Sequence, residues 1–151
     1  WPPWPPPLLP IPAPATFALE GVVEVRISAC PALTAVPPEI GRIRGARTLV
    51  LISNSLTELP EEVGALRQLQ HLFLNGNFLR SLPAVVGELP ELREVCFDAN
   101  LFEALPDFAS KDLTLFTAPG NRLTAMPAVA GALDRLEVHG NSLTSLQLAA
   151  R

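Results

Sequence analysis

The sequence predicts an α/β solenoid, with short parallel strands stacked along one face and brief helical turns or extended chain along the other. Three observations carry that prediction. An apolar pattern returns at intervals of 20 to 24 residues. Each copy ends in a small polar residue at one fixed place: Cys30, then Asn54, Asn77, Asn100, Asn121 and Asn141. Two copies then add Leu-Pro, at 59–60 and 82–83, each leading into Val-Gly at 63–64 and 86–87.

The six units have their first core positions at Val22, Ala46, Leu69, Leu92, Leu113 and Leu133. In "LQHLFLNGN" Leu72 and Leu74 are two apart, so both point to one face of a strand while Phe73 and Asn75 point to the other. Leu69, Leu72, Leu74, Leu79 and Leu82 then turn inward together. One unit cannot bury so many leucines alone, but stacked neighbours can. The Asn of each turn brings donors and an acceptor to a bend whose backbone groups need partners. The Asn column therefore reads as structural, with Cys30 filling the same place as a small buried residue. After Leu-Pro, "PEEVGALRQ" and "PAVVGELPE" suit a helical turn with Pro at its first position, Val63 and Val86 facing inward, and Gly64 and Gly87 capping or bending the segment. The later returns "PDFASKD" and "PAVAGA" are too short for much helix, so extended chain is expected there.

The recurring L-x-x-L-x-L-x-x-N-x-L-x-x-L-P, over about 22–147, resembles the leucine-rich repeat family. The second and third units resemble its intracellular subgroup with Leu-Pro-x-x-(Ile/Val)-Gly, found in Ras-pathway scaffolds and plant Ras-group proteins. "ISACPALTAVP" is more similar to the Cys-Pro-x-Leu variant of plant cytoplasmic repeats, and the last two spacings, 21 and 20, to short bacterial effector repeats. The resemblance implies a curved horseshoe with its strands on the concave face.

The ends differ from the repeats. Residues 1–16, "WPPWPPPLLPIPAPAT", hold eight prolines and form a proline-rich arm ahead of a repeat domain over 17–151. Such a run favours polyproline II. It is either a ligand for an SH3- or WW-type groove or a linker folded over the first repeat; the two Trp argue for some contact. The chain begins with Trp1, which suggests a fragment or processed product. The sixth unit stops without a return segment, so a C-terminal cap is expected to be missing.

Hydrophobic content is 48% and net charge −4. An acidic balance disfavours nucleic acid and anionic membranes, which need a basic face. No apolar run approaches the roughly 18–20 residues of a membrane span. Two cysteines are too few for a disulfide framework, and no Asn-x-Ser/Thr acceptor occurs, so an intracellular, cytoplasmic protein is expected; an organelle reached after loss of a targeting segment is the alternative. His71 and His139 share no unit with a Cys, although a contact between His71 and Cys96 is conceivable. No phosphate loop, HExxH or GxSxG is present. Neither enzyme chemistry nor a metal or cofactor is expected.

Function is therefore sought on the concave face. One outward column is Arg26, Val50, Phe73, Cys96, Thr117 and Glu137, and its neighbour is Ser28, Ile52, Asn75, Asp98, Pro119 and His139. A third, beyond the Asn, gives Ser55, Phe78, Leu101, Arg122 and Ser142. Core burial does not account for Val50, Ile52, Phe73 and Cys96, and Phe78 and Leu101 lie along their rim. An apolar patch edged by polar groups marks an interaction site. The expected partner-binding residues are Val50, Ile52, Phe73, Asn75, Phe78, Cys96, Asp98 and Leu101. The expected role is a protein–protein interaction module, as a signalling scaffold or recognition domain. Alternatives are an accessory subunit of a stable assembly and the substrate-recognition part of a ligase or kinase.

Overall fold

The structure is a computed structural model and describes residues 21–146. The proline-rich arm over 1–16 lies outside the described residues. Six strands of three residues each form one sheet: β1 (Glu24–Arg26), β2 (Thr48–Val50), β3 (His71–Phe73), β4 (Glu94–Cys96), β5 (Leu115–Thr117) and β6 (Arg135–Glu137). Every neighbouring pair is parallel and the spatial order is the sequence order. The register sets Val25, Leu49, Leu72, Val95, Phe116 and Leu136 side by side as the inward row. The chain is an α/β repeat solenoid, as the repeat pattern implied.

The strands are short because each is stopped by a tight bend. The residue before the turn Asn or Cys has positive φ in all six units: Ala29, Ser53, Gly76, Ala99, Gly120 and Gly140. That left-handed backbone turns the chain away from the sheet, and the Asn then secures the bend. Asn77 donates from Nδ2 to the carbonyls of Leu51 (2.7 Å) and Leu74 (2.8 Å) and accepts from the Leu56 N–H (3.1 Å). Asn100, Asn121 and Asn141 repeat that pattern, each joining its own turn to the preceding one. Asn54 bridges back to the Ile27 carbonyl and the Cys30 N–H.

Cys30 corrects an expectation. It is exposed, not buried, and its thiol donates to the Ser28 carbonyl. Asn54 supplies the bond to this turn through the Cys30 backbone, so the thiol is free to face outward. The first unit also carries one extra residue between Cys30 and Leu33, and Ser55 Oγ donates to the Pro31 carbonyl at 2.6 Å across it.

The return side changes along the molecule. Residues Pro38–Arg42 and Glu61–Ala65 are 3₁₀ turns, and α1 (Ala84–Gly87) is a single α turn. Pro60 and Pro83 stand one place earlier than expected, as N-caps rather than first helical residues. Beyond α1 the return is extended, with a parallel bridge between Phe108 and Val129. Val63 and Val86 are fully buried as their spacing implied. Gly64 and Gly87 act differently from the expected caps. A Cβ on Gly64 would stand 2.7 Å from Val85 Cβ, and one on Gly87 would run into the Asp107 carbonyl. These glycines let successive units approach closely.

The core is leucine-rich through the first half and phenylalanine-rich where the repeat shortens. Phe97, Phe102, Phe108 and Phe116 are all buried, and their ring centroids lie 5.6 Å (Phe108–Phe116) to 6.1 Å (Phe97–Phe116) apart in edge-on and stacked contacts. Larger side chains fill the space that the shorter return no longer covers with helix. Among the described residues, no helix is long and apolar enough to cross a membrane.

Candidate interaction surface

The outward row of the sheet follows from the same register that builds the core. Arg26, Val50, Phe73, Cys96, Thr117 and Glu137 are paired in sequence across β1 to β6. Two residues further on, the ladder continues from Ala29 N–H to the Ile52 carbonyl, Ser53 to Asn75, Gly76 to Asp98 and Ala99 to Pro119. Ile52, Asn75, Asp98 and Pro119 therefore stand in the neighbouring row. The row past the turn is set by Phe78 N–H on the Leu56 carbonyl and Leu101 N–H on that of Leu79.

Exposure divides these residues. Phe78 leaves 53% of its surface in solvent. Ile52, Phe73, Asn75, Cys96, Asp98 and Leu101 are half-buried. Val50 departs from expectation: it is 3% exposed, although it lies outside the inner core cluster. It sits in register between Arg26 and Phe73. The usable apolar surface therefore starts at Ile52 and Phe73 and runs to Phe78 and Leu101.

The polar groups have partners that inspection of single units does not disclose. His71 Nδ1 lies 3.1 Å from Glu94 Oε2, on equivalent positions of β3 and β4, and not against Cys96. Its ring also tilts against Phe73, with centroids 6.2 Å apart. Thr117 Oγ1 donates to Asp98 Oδ1 at 2.6 Å. Arg26 pairs with Glu24, and Arg135 with Glu137. Asn75 Oδ1 is buried and has no hydrogen-bond partner among the described residues. The repeat spacing was the available signal for the His71–Glu94 pair, since residues at matching places in adjacent units become neighbours; Asp98 and Thr117 stand in different rows, and their diagonal contact had no such signal.

Burial pushes the Cys96 thiol above its ordinary range, and the carboxylates of Asp98, Glu94 and Glu137 raise it further. Among the described residues, no three or more His, Cys, Asp or Glu gather where a metal ion could be held.

The fold is of the leucine-rich-repeat kind. A leucine-rich-repeat protein of Leptospira interrogans superposes on 76% of this chain with a TM-score of 0.68 and 30% sequence identity. A plant ice-binding protein superposes on 81% with a TM-score of 0.56 and 22% identity, a likeness of fold alone. The chain spans 31% of the first protein's length and 50% of the second's. No protein-family model and no curated protein matches the chain.

Proposed function

We propose that the chain binds a partner polypeptide across the outward face of its sheet, over β2 to β4. The observation that carries this reading is the apolar group Ile52, Phe73, Phe78 and Leu101, edged by Asn75, Asp98 and Arg122 on a face that the core does not use. Aromatic anchors edged by polar groups are the usual composition of a binding centre. Phe78, the most exposed of them, is the anchor with most area to bury.

The Leu-Pro-x-x-Val-Gly segments at 59–64 and 82–87 support the intracellular, Ras-group subtype, and with it a role as signalling scaffold or recognition domain. The free cysteines Cys30 and Cys96 support a reducing compartment such as the cytoplasm. The recognition domain occupies 17–151 in this reading, and residues 1–16 form a separate proline-rich arm, either a linker or a ligand for an SH3- or WW-type groove. Residues Val23 and Leu146, 57% and 55% exposed near opposite ends of the described chain, favour a second reading as a piece stacked within a stable assembly.

The test is capture from native lysate with three baits of verified circular dichroism: the intact chain, a deletion of 1–16, and the double variant Phe73→Asp with Phe78→Asp. Loss of the principal partner by the double variant, and retention by the deletion, is the expected result. Loss by the deletion alone assigns binding to the arm and overturns the site. An intact chain that aggregates unless co-expressed with a neighbour supports the assembly reading instead.

A further inference from the structure

The two ends of the sheet complement each other, whether or not the outward face binds a polypeptide, and they give the neighbour of the assembly reading an identity. Every internal joint is made alike: an N–H of one unit meets a carbonyl of the next. Ile27 N–H bonds the Val50 carbonyl at 2.8 Å and Ala29 N–H that of Ile52 at 3.0 Å. At the far end Ala118 N–H bonds the Glu137 carbonyl at 2.8 Å and Gly120 N–H that of His139 at 3.0 Å. In a trans peptide the carbonyl points opposite to the N–H. The Arg26 and Ser28 carbonyls therefore face away from β2, and the Val138 and Gly140 N–H groups face away from β5. One end of the sheet presents acceptors and the other donors, at matching places of the repeat. Among the described residues β1 and β6 have one neighbouring strand each. Their apolar residues are correspondingly open: Val22, Val25, Leu133, Leu136 and Val138 are half-buried, and Ile27 is 36% exposed.

The side chains state what fits beside these ends. The register places Glu24 and Arg135 in one outward row and Arg26 and Glu137 in the next. β1 thus carries an acid then a base, and β6 a base then an acid. If a β1 followed β6 in the register of the internal pairs, Glu24 would face Arg135 and Arg26 would face Glu137, about 4.8 Å away. Each ion is already paired within its own strand, so the joint would hold four charges of alternating sign. Beneath them Val22 would meet Leu133, Val25 would meet Leu136, and Ile27 would meet Val138.

We infer that a second copy of this chain stacks head to tail on the first, its β1 extending the sheet beyond β6. An open strand edge is a template for such pairing. The contact joins unlike ends, so it is heterologous and either closes into a ring or continues as a filament. Cys30 stands at the joint where every internal joint has an Asn. Leu143 N–H therefore lacks the Asn acceptor that Leu123 N–H finds in Asn141. The joint is weaker than those within the chain, and assembly is reversible and concentration-dependent.

Charge exchange at either end tests this. Glu24→Arg with Arg26→Glu, or separately Arg135→Glu with Glu137→Arg, keeps the ion pair within each strand but sets like charges together at the joint. In sedimentation velocity the intact chain should gain mass as concentration rises. Either exchange alone should weaken that association at least about tenfold. A chain carrying both exchanges, and an equimolar mixture of the two singly exchanged chains, should assemble like the intact chain, because opposite charges meet again at every joint. Phe73→Asp with Phe78→Asp should assemble unchanged, which separates failure here from failure of the outward-face reading. An intact chain that stays monomeric up to about 1 mM overturns the inference and leaves the cover of the ends to residues 1–20 and 147–151. A singly exchanged chain that assembles as readily as the intact one, or a mixture that fails to recover assembly, overturns it as well.

Discussion

Asn77 closes three backbone groups at once, belonging to Leu51, Leu74 and Leu56, and is 4% exposed. Each buried group left open costs about 1–3 kcal/mol, so Asn77→Ala should lower stability by at least about 3 kcal/mol in urea denaturation. The neighbouring left-handed position offers the opposite change. Ala99 has φ 52°, where an L side chain costs about 1–2 kcal/mol, against about 0.5–1 kcal/mol for the extra freedom of glycine. Ala99→Gly should therefore be neutral or stabilising by up to about 1 kcal/mol, read from the urea midpoint. The two thiols should separate by reactivity. Burial and nearby carboxylates disfavour the Cys96 thiolate, so iodoacetamide at pH 8 should label exposed Cys30 first. Cys96 should react more slowly and gain rate as the pH is raised. The Asn column was legible because the same residue type recurs at the same place. The left-handed column was half legible, since Gly76, Gly120 and Gly140 announce it, whereas Ala29, Ser53 and Ala99 conceal it. Cys30 was misplaced because its size suits burial, and nothing local discloses that Asn54 bonds its backbone instead.

At the scale of elements, the distance between units is set by the glycines of the return side. Gly87 faces the Asp107 carbonyl with no room for a methyl group. Gly87→Ala should cost about 1–3 kcal/mol through overpacking, measured by thermal denaturation, even though alanine is the better helix former. A caps-only role would instead leave Gly87→Ala nearly silent. The switch from helical turn to extended return was legible from spacing alone, because 20 or 21 residues leave too little chain for a helix. The rows of the outward face were legible for the same reason: with a fixed period, equal places become neighbours. Exposure within the rows was not. Val50 and Ile52 look alike in sequence, yet one is buried and the other half-buried, since burial depends on neighbours that lie in other units. Asn75 Oδ1 was equally hidden, because an absent partner leaves no mark in the chain.

Over the whole molecule, contacts run from unit to unit, so stability is a sum of units and their interfaces. The inward residues of the middle strands, Leu49, Leu72, Val95 and Phe116, are fully buried, whereas Val25 and Leu136 in the outer strands are only half-buried. Amide hydrogen exchange should be slowest in β2 to β5 and faster by orders of magnitude in β1 and β6. Uniform protection across all six strands would mean that the outer units are covered as well as the inner ones. The Asn bonds also have a direction. Leu56 N–H waits for Asn77, Leu79 N–H for Asn100, and Leu123 N–H for Asn141; each turn is finished by a side chain of the unit that follows it. A ribosome releases the N-terminal side first. Every turn therefore leaves the exit tunnel unfinished and is locked only after another full repeat has been translated. Along this chain, native structure advances one rung behind synthesis, and the newest rung is always the open one.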